Sequence, residues 1–246
     1  MTDHRIHTEA DLDRGIDALI AADPRFGALV EKAGRPPLRR RSDGFASLLS
    51  TVVSQQLSTA SASAIWARLA AAFDPVLPET IMRARKERLM RVGLSGPKIR
   101  AVKEIARAVA RGDLALTTLG DIEADAAHAA LTAVHGIGPW TADIYLLACL
   151  GHTDAWPAGD LALQEAARLA FGLQARPTAK EMMPLAEPWR PWRAVAARVL
   201  WTYYRAVKGR EGAPVVPTKP KPAEPTKPKR AEKDKKNGRR ARRSAA

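Results

Sequence analysis

LTAVHGIGPWTADIYLLACLGHTDAWPAGD, residues Leu131–Asp160, decides how this chain is read. Apolar residues recur at helical spacing on both sides of His135-Gly136-Ile137-Gly138, which predicts helices over 121–134 and 139–151 joined by a tight turn. Glycine lets the backbone turn sharply and approach a partner with no Cβ in the way. Pro139 then takes the first helical position, where its missing N–H costs nothing and its φ is already helical. The uncapped amides at that helix start, with the positive end of the helix dipole, suit an anion such as a DNA phosphate. The same spacing also describes an ordinary corner between two helices. Asp160 is equally two-sided. It follows Pro157-Ala158-Gly159 and precedes the apolar-periodic run 161–171, which is the place of a helix N-cap.

Outward from this stretch the periodicity stays helical, and no alternating strand pattern appears. Further helices are predicted over 9–21, 44–73, 79–91, 97–111, 160–171, 178–187 and 191–208, punctuated by Arg35-Pro36-Pro37, Asp74-Pro75 and Gly93–Pro97. The expected class is all-α. With 246 residues, 46% of them apolar, the chain can build a sizeable core. Cys149, the one cysteine, lies in an apolar helix and reads as a buried structural residue; no internal disulfide is possible. Trp66, Trp156, Trp189 and Trp192 read as packing residues, and Asp143 and Glu165 as solvated or capping charges.

A formal net charge of +14 points to a polyanionic partner. From Glu211 to Ala246 the chain holds 12 Lys and Arg against 4 Asp and Glu, a net +8. That tail is rich in Lys, Pro and Ala and nearly free of apolar residues, so it is expected to be disordered and to add salt-sensitive attraction to phosphates. Residues 1–210 remain basic without it. No apolar run is long enough to span a membrane, and MTDHRIHTEADLDRG lacks the apolar centre of a signal peptide. Cytoplasmic residence, with the nucleoid as the site of action, is expected. The five histidines are scattered, so no metal or cofactor is called for.

The segments GIGPWTA and WPAGDLAL, with Asp160 twenty-two residues after Gly138, resemble the helix-hairpin-helix (HhH-GPD) DNA glycosylases, specifically the 3-methyladenine DNA glycosylase II (AlkA) type. The similarity runs from about Gly44 to Tyr204 and includes FASLLSTVVSQQLSTASASAIWARL, VGLSGPKIRAV and PWRAVAARVLWTYYR. It implies a compact form without the N-terminal β domain of some relatives. Two helical lobes, about 40–150 and 1–39 plus 151–210, would then flank an active-site cleft, with 1–210 as one glycosylase domain and 211–246 as its tail. Relatives with an iron–sulfur cluster use four cysteines, which this chain lacks.

By the same resemblance Asp160 is the catalytic carboxylate, and Trp140, Trp201 and Tyr145 form the pocket for the flipped base. Relatives often carry an aromatic four residues after Trp140, where Ile144 stands and Tyr145 follows. DNA contacts fall to Gln55, Gln56 and Leu57, to Ser95, Gly96 and Lys98, and to His135, Gly136, Ile137 and Gly138. Gln56 or Leu57 would wedge into the gap left by the flipped nucleotide. Trp140 stands where lyase-active relatives place a Schiff-base lysine, so hydrolysis alone is expected. The implied function is excision of alkylated purines, of the 3-methyladenine and 7-methylguanine type, from damaged double-stranded DNA. An abasic site would remain, and the enzyme would act as a monomer with no cofactor. Two alternatives stay open: a glycosylase for deaminated or oxidised bases, and a non-catalytic helix-hairpin-helix DNA-binding protein.

Overall fold

The computed structural model describes residues 5–209; the basic tail lies outside them. The described chain is all-α, with twelve α-helices and no strand. In order they are α1 (Glu9–Ala22), α2 (Arg25–Ala33), α3 (Phe45–Ser54), α4 (Thr59–Ala72), α5 (Pro78–Arg83), α6 (Lys86–Arg91), α7 (Gly96–Arg111), α8 (Ala124–Thr132), α9 (Pro139–Tyr145), α10 (Leu161–Ala170), α11 (Ala179–Ala186) and α12 (Arg193–Lys208).

Local signals explain most of these boundaries. Thr8 starts α1 with a capping box, its side chain accepting from the Asp11 amide while Asp11 accepts from the Thr8 amide. Thr178 and Glu181 repeat the device at α11. Two expectations are corrected. The single helix over 44–73 is two, α3 and α4, broken at residues 55–58, where Gln56 takes a left-handed φ of 56°. A glutamine carries that strained position instead of Gly or Asn, so the usual punctuation is missing and only Ser58, the cap of α4, marks the break. The helix over 79–91 likewise divides into α5 and α6 at residues 84–85. Nine-residue α2 escaped the periodicity reading; it starts at Pro24 with no side-chain cap.

Packing centres on α3, which is buried on nearly all sides and rests on α4, α7 and α9. Helices α5 and α6 pack on α7, and α8 on α9. A second group forms around α12, which meets α1, α2 and α10. The two groups are laced together where α9 widens into a π-helical segment, Leu146–Leu150. Carbonyls at a helix end need partners from outside the helix. Arg198 on α12 donates to the Leu147 carbonyl, the Arg41 amide to Ala148, and Arg40 to Cys149. Burial drives the Arg198 guanidinium down to about 10. Cys149 is buried in this segment, and desolvation pushes its thiol up to about 11.

Candidate active site

The hairpin turn uses its two glycines differently. Gly136 sits at a φ of 99°, and a Cβ there would fall 2.5 Å from the Ala101 Cβ and 2.8 Å from its Cα. It lets the turn lie directly on α7. Gly138 has an ordinary φ of −84°, and a Cβ there would meet nothing within 4 Å. That side of the turn faces open space. Pro139 begins α9, and no side chain caps its first amides. His135 is exposed and Ile137 is buried beneath the turn.

Asp160 is both a cap and the centre of the site. As N-cap of α10, its Oδ1 accepts from the Leu163 amide at 2.8 Å. The indole Nε1 of Trp201 donates to the same oxygen at 3.1 Å, and that of Trp140 donates to Oδ2 at 3.0 Å. Two tryptophans, one from the hairpin helix and one from α12, thus clamp a carboxylate that is only 6% exposed. The chain between Pro157 and Asp160 is held by its own turn, with the Asp160 amide on the Pro157 carbonyl and Gln164 on the Ala158 carbonyl.

A cavity of about 650 Å³ opens over this carboxylate. Its walls are the α3–α4 turn (Ser54–Leu57), the hairpin (Gly138–Thr141) and the Asp160 segment (Gly159–Ala162). The structure therefore brings Gln55, Gln56, Leu57, Gly138, Trp140 and Asp160 to one place. Among the described residues, Asp160 is the single titratable side chain lining it, and no lysine does so. Ser54, Thr141 and Gly159 are members of the site that the sequence did not single out. Thr141 matters most, because its Oγ1 accepts from the Gln55 amide at 2.5 Å and ties the α3–α4 turn to the hairpin helix.

Four expected residues, Lys98, Ser95, Gly96 and Tyr145, sit elsewhere. Lys98 does not reach outward for a phosphate. Its Nζ donates to the carbonyls of Val53 and Gln55, at 2.5 and 2.9 Å, satisfying the end of α3 left open by the helix break. Burial pulls its ammonium below the usual lysine range. Ser95 and Gly96, at the start of α7, are outside the cavity lining. Tyr145 is in the core, fully buried, its hydroxyl 3.1 Å from the donating Gly44 amide, and burial pushes its phenol upward. Five residues turn a helix by about 140° beyond a full circle, so Tyr145 and Trp140 face different ways.

Asp143, read as a solvated or capping charge, is buried, and desolvation holds its carboxyl well above the usual range against the opposing pull of Arg193. It lies 3.7 Å from His128 Nε2 and lines a second cavity of about 570 Å³, which shares Pro139, Trp140 and Gly159 with the first. Glu165 pairs with Arg168 on the surface of α10, which lowers its carboxyl. Trp66, Trp156 and Trp189 are buried packing residues as expected, and Trp192 is half-buried. No group of metal-ligating side chains exists among the described residues, nor is any described helix long and apolar enough to cross a membrane.

Residues 49–191 match the family model of the HhH-GPD superfamily base excision DNA repair proteins. A Mycobacterium tuberculosis protein described as a probable bifunctional transcriptional activator/DNA repair enzyme AlkA is 34% identical over 203 residues, 78% of this chain; the chain spans only 40% of that relative's length. Two solved structures are similar in fold and sequence. DNA-3-methyladenine glycosidase from Bacillus halodurans has a TM-score of 0.70 at 31% identity, covering 79% of this chain and 90% of its own. The Schizosaccharomyces pombe 3-methyladenine DNA glycosylase in complex with abasic DNA has a TM-score of 0.68 at 27% identity, covering 78% and 95%.

Proposed function

Since this chain belongs to the HhH-GPD superfamily of base excision DNA repair proteins, we propose that it is a monofunctional DNA glycosylase that hydrolyses the bond between an alkylated purine and its sugar in duplex DNA. The observation that carries the reading is the Asp160 carboxylate, held between the indoles of Trp140 and Trp201 under an open cavity. Capping α10 does not account for the two indole donors that hold this carboxylate beneath an open cavity.

The chemistry follows from the residues present. A glycosidic bond is unreachable inside the base stack, so the nucleotide must swing out of the duplex. Gln56 is exposed on a left-handed turn, with Leu57 beside it, at the wall facing the hairpin. Either side chain fills the vacated space. Gly138 and the uncapped first amides of α9 take a backbone phosphate, where an unopposed glycine allows close approach.

The flipped base then lies against Trp140, the tryptophan that lines the cavity among the described residues, while Trp201 acts from behind through its bond to Asp160. An alkylated purine that carries positive charge is attracted to an indole face by about 0.5–2 kcal/mol. Such a base is already a good leaving group and needs little protonation. This accounts for a single carboxylate in place of the acid and base pair of most sugar hydrolases. As the bond breaks, positive charge develops on the sugar, and the largely buried Asp160 carboxylate stabilises it at close range. Its two indole donors and the Leu163 amide fix the direction of both oxygens beforehand. With Trp140 at the hairpin and no lysine among the described residues lining the cavity, none of them places an amine to attack the sugar carbon. Water completes the reaction and an abasic site is left.

Release of free 3-methyladenine or 7-methylguanine from methylated duplex DNA tests this directly. Wild-type protein is expected to release them, and Asp160→Asn to bind the duplex while losing most of the release. Equal release by both proteins removes Asp160 from the mechanism. Duplex binding with no release by either favours the non-catalytic alternative or another lesion class.

A further inference from the structure

A second basic feature lies outside this site. Residues 72–75 at the end of α4, together with α5 and α6, enclose an open groove of about 850 Å³. Arg83, Arg85, Arg88 and Arg91 line it, and all four are exposed. Elsewhere in the molecule Arg25, Arg35, Arg107, Arg168, Arg190 and Arg193 are paired with carboxylates. None of the four groove arginines has an ion-pair partner among the described residues, although Asp74 and Glu87 also line the groove. Arg88 is fixed at the groove floor, 4.3 Å over the Phe73 ring and bonded to the Ala72 carbonyl. The exposed guanidinium groups of Arg83, Arg85 and Arg91 suit the phosphate oxygens of a polyanion, which Arg can meet with two parallel hydrogen bonds.

The groove's position relative to the cleft follows from the helices. Helix α4 starts beside the Gln55–Leu57 turn and ends at the groove; its 14 residues span ~21 Å at 1.5 Å per residue. The other groove wall, α6, leads through Val92, whose carbonyl takes the Arg68 Nε at 3.1 Å, to the start of α7. There Lys98 bonds back to Gln55. Cleft and groove thus belong to one packed group of helices. Along α4 the groove stands ~21 Å from the Gln55–Leu57 turn, a length that about six nucleotides cover at ~3.4 Å of helix axis each.

We propose that this arginine-lined groove is a second DNA contact, which grips backbone phosphates beyond those beside the base being excised. The proposal rests on the glycosylase reading for its partner and adds an outlying anchor to it. Four guanidinium groups against the two carboxylates of Asp74 and Glu87 favour a polyanion, and the glycosylase reading makes a nucleic-acid backbone the expected one.

The test compares the full chain with the double variant Arg85→Ala, Arg91→Ala, after confirming equal thermal melting. Binding is followed against salt on two duplexes with a central abasic analogue, one of about 10 and one of about 24 base pairs, since only the longer reaches the groove. For wild type, the plot of log affinity against log salt is expected to be steeper on the longer duplex. In the variant that slope flattens by about 1.8, or about 0.9 for each phosphate left without its arginine, and the difference between the duplexes shrinks accordingly. An unchanged slope on the longer duplex overturns the proposal; if the variant then binds a polyglutamate peptide more weakly than wild type, the groove serves a protein. Base release by wild type from a separate short duplex, with a methylated purine in place of the abasic analogue, reports on the glycosylase reading independently. A chain that releases no base yet shows the slope change keeps its groove and loses its proposed reaction.

Discussion

The Gln55 side-chain amide donates to the Thr141 hydroxyl at 2.5 Å, joining two segments 86 residues apart. Gln55 precedes the two wedge candidates and Thr141 follows Trp140, so this bond sets how far the wedge stands from the pocket. Thr141 is 1% exposed. Thr141→Val keeps the shape and removes the acceptor. Stability is expected to fall by about 1 kcal/mol. Single-turnover excision should slow by about tenfold, in the range that small misplacements cost. A denaturant melt and a rapid-quench time course measure the two effects, and loss of stability alone would leave the bond without a positioning role.

Lys98 supports the same turn from the other side, through the Val53 and Gln55 carbonyls. Lys98→Met keeps the length and deprives both carbonyls of a donor, at an expected cost of about 1–3 kcal/mol. If Lys98 served instead as a phosphate ligand, the variant would keep its melting midpoint and the salt slope of its DNA affinity would flatten by about 0.9.

Gly136 and Gly138 are predicted to respond in opposite ways. Gly136→Ala forces a left-handed φ on alanine and drives a Cβ to 2.8 Å from the Ala101 backbone; destabilisation above about 2 kcal/mol is expected. Gly138→Ala meets open space and should melt like wild type while binding duplex more weakly, because the methyl group stands where a phosphate approaches. Melting curves and duplex titrations of the two variants separate a packing glycine from a DNA-facing one.

Asp143 supplies a pH dependence. Burial raises its carboxyl well above 3.8 in the folded protein. Between 3.8 and that raised value the native state holds a proton that the unfolded state releases, so stability falls as pH rises through the window. Asp143→Asn removes this loss. Its Tm is expected to exceed that of wild type at pH 7, with the gap closing as the pH approaches 3.8. A series of melts across pH checks it, and a variant less stable at neutral pH would mean that His128 and Arg193 depend on the charge.

The sequence by itself determined what depends on neighbours along the chain. Helical class, the hairpin with its glycines and Pro139, and Asp160 at a helix start are all written in short-range patterns, because caps and turns are made by residues within a few positions. The order of GIGPWTA and WPAGDLAL carried the family. Tertiary structure alone decided which groups face which. Asp160 could be read as a cap or as a catalytic carboxylate, and it proves to be a cap that also receives two indoles, from 20 and 41 residues away. Lys98 and Asp143 look like solvent-facing charges in one dimension. Only the folding of distant helices around them turned the first into a brace for α3 and buried the second. Tyr145 is missing from its expected place for a related reason, since its direction is set by its angle around α9 and by what packs there. Burial and hydrogen bonding across long sequence separations come from packing the helices together, and no local pattern of residue types encodes them.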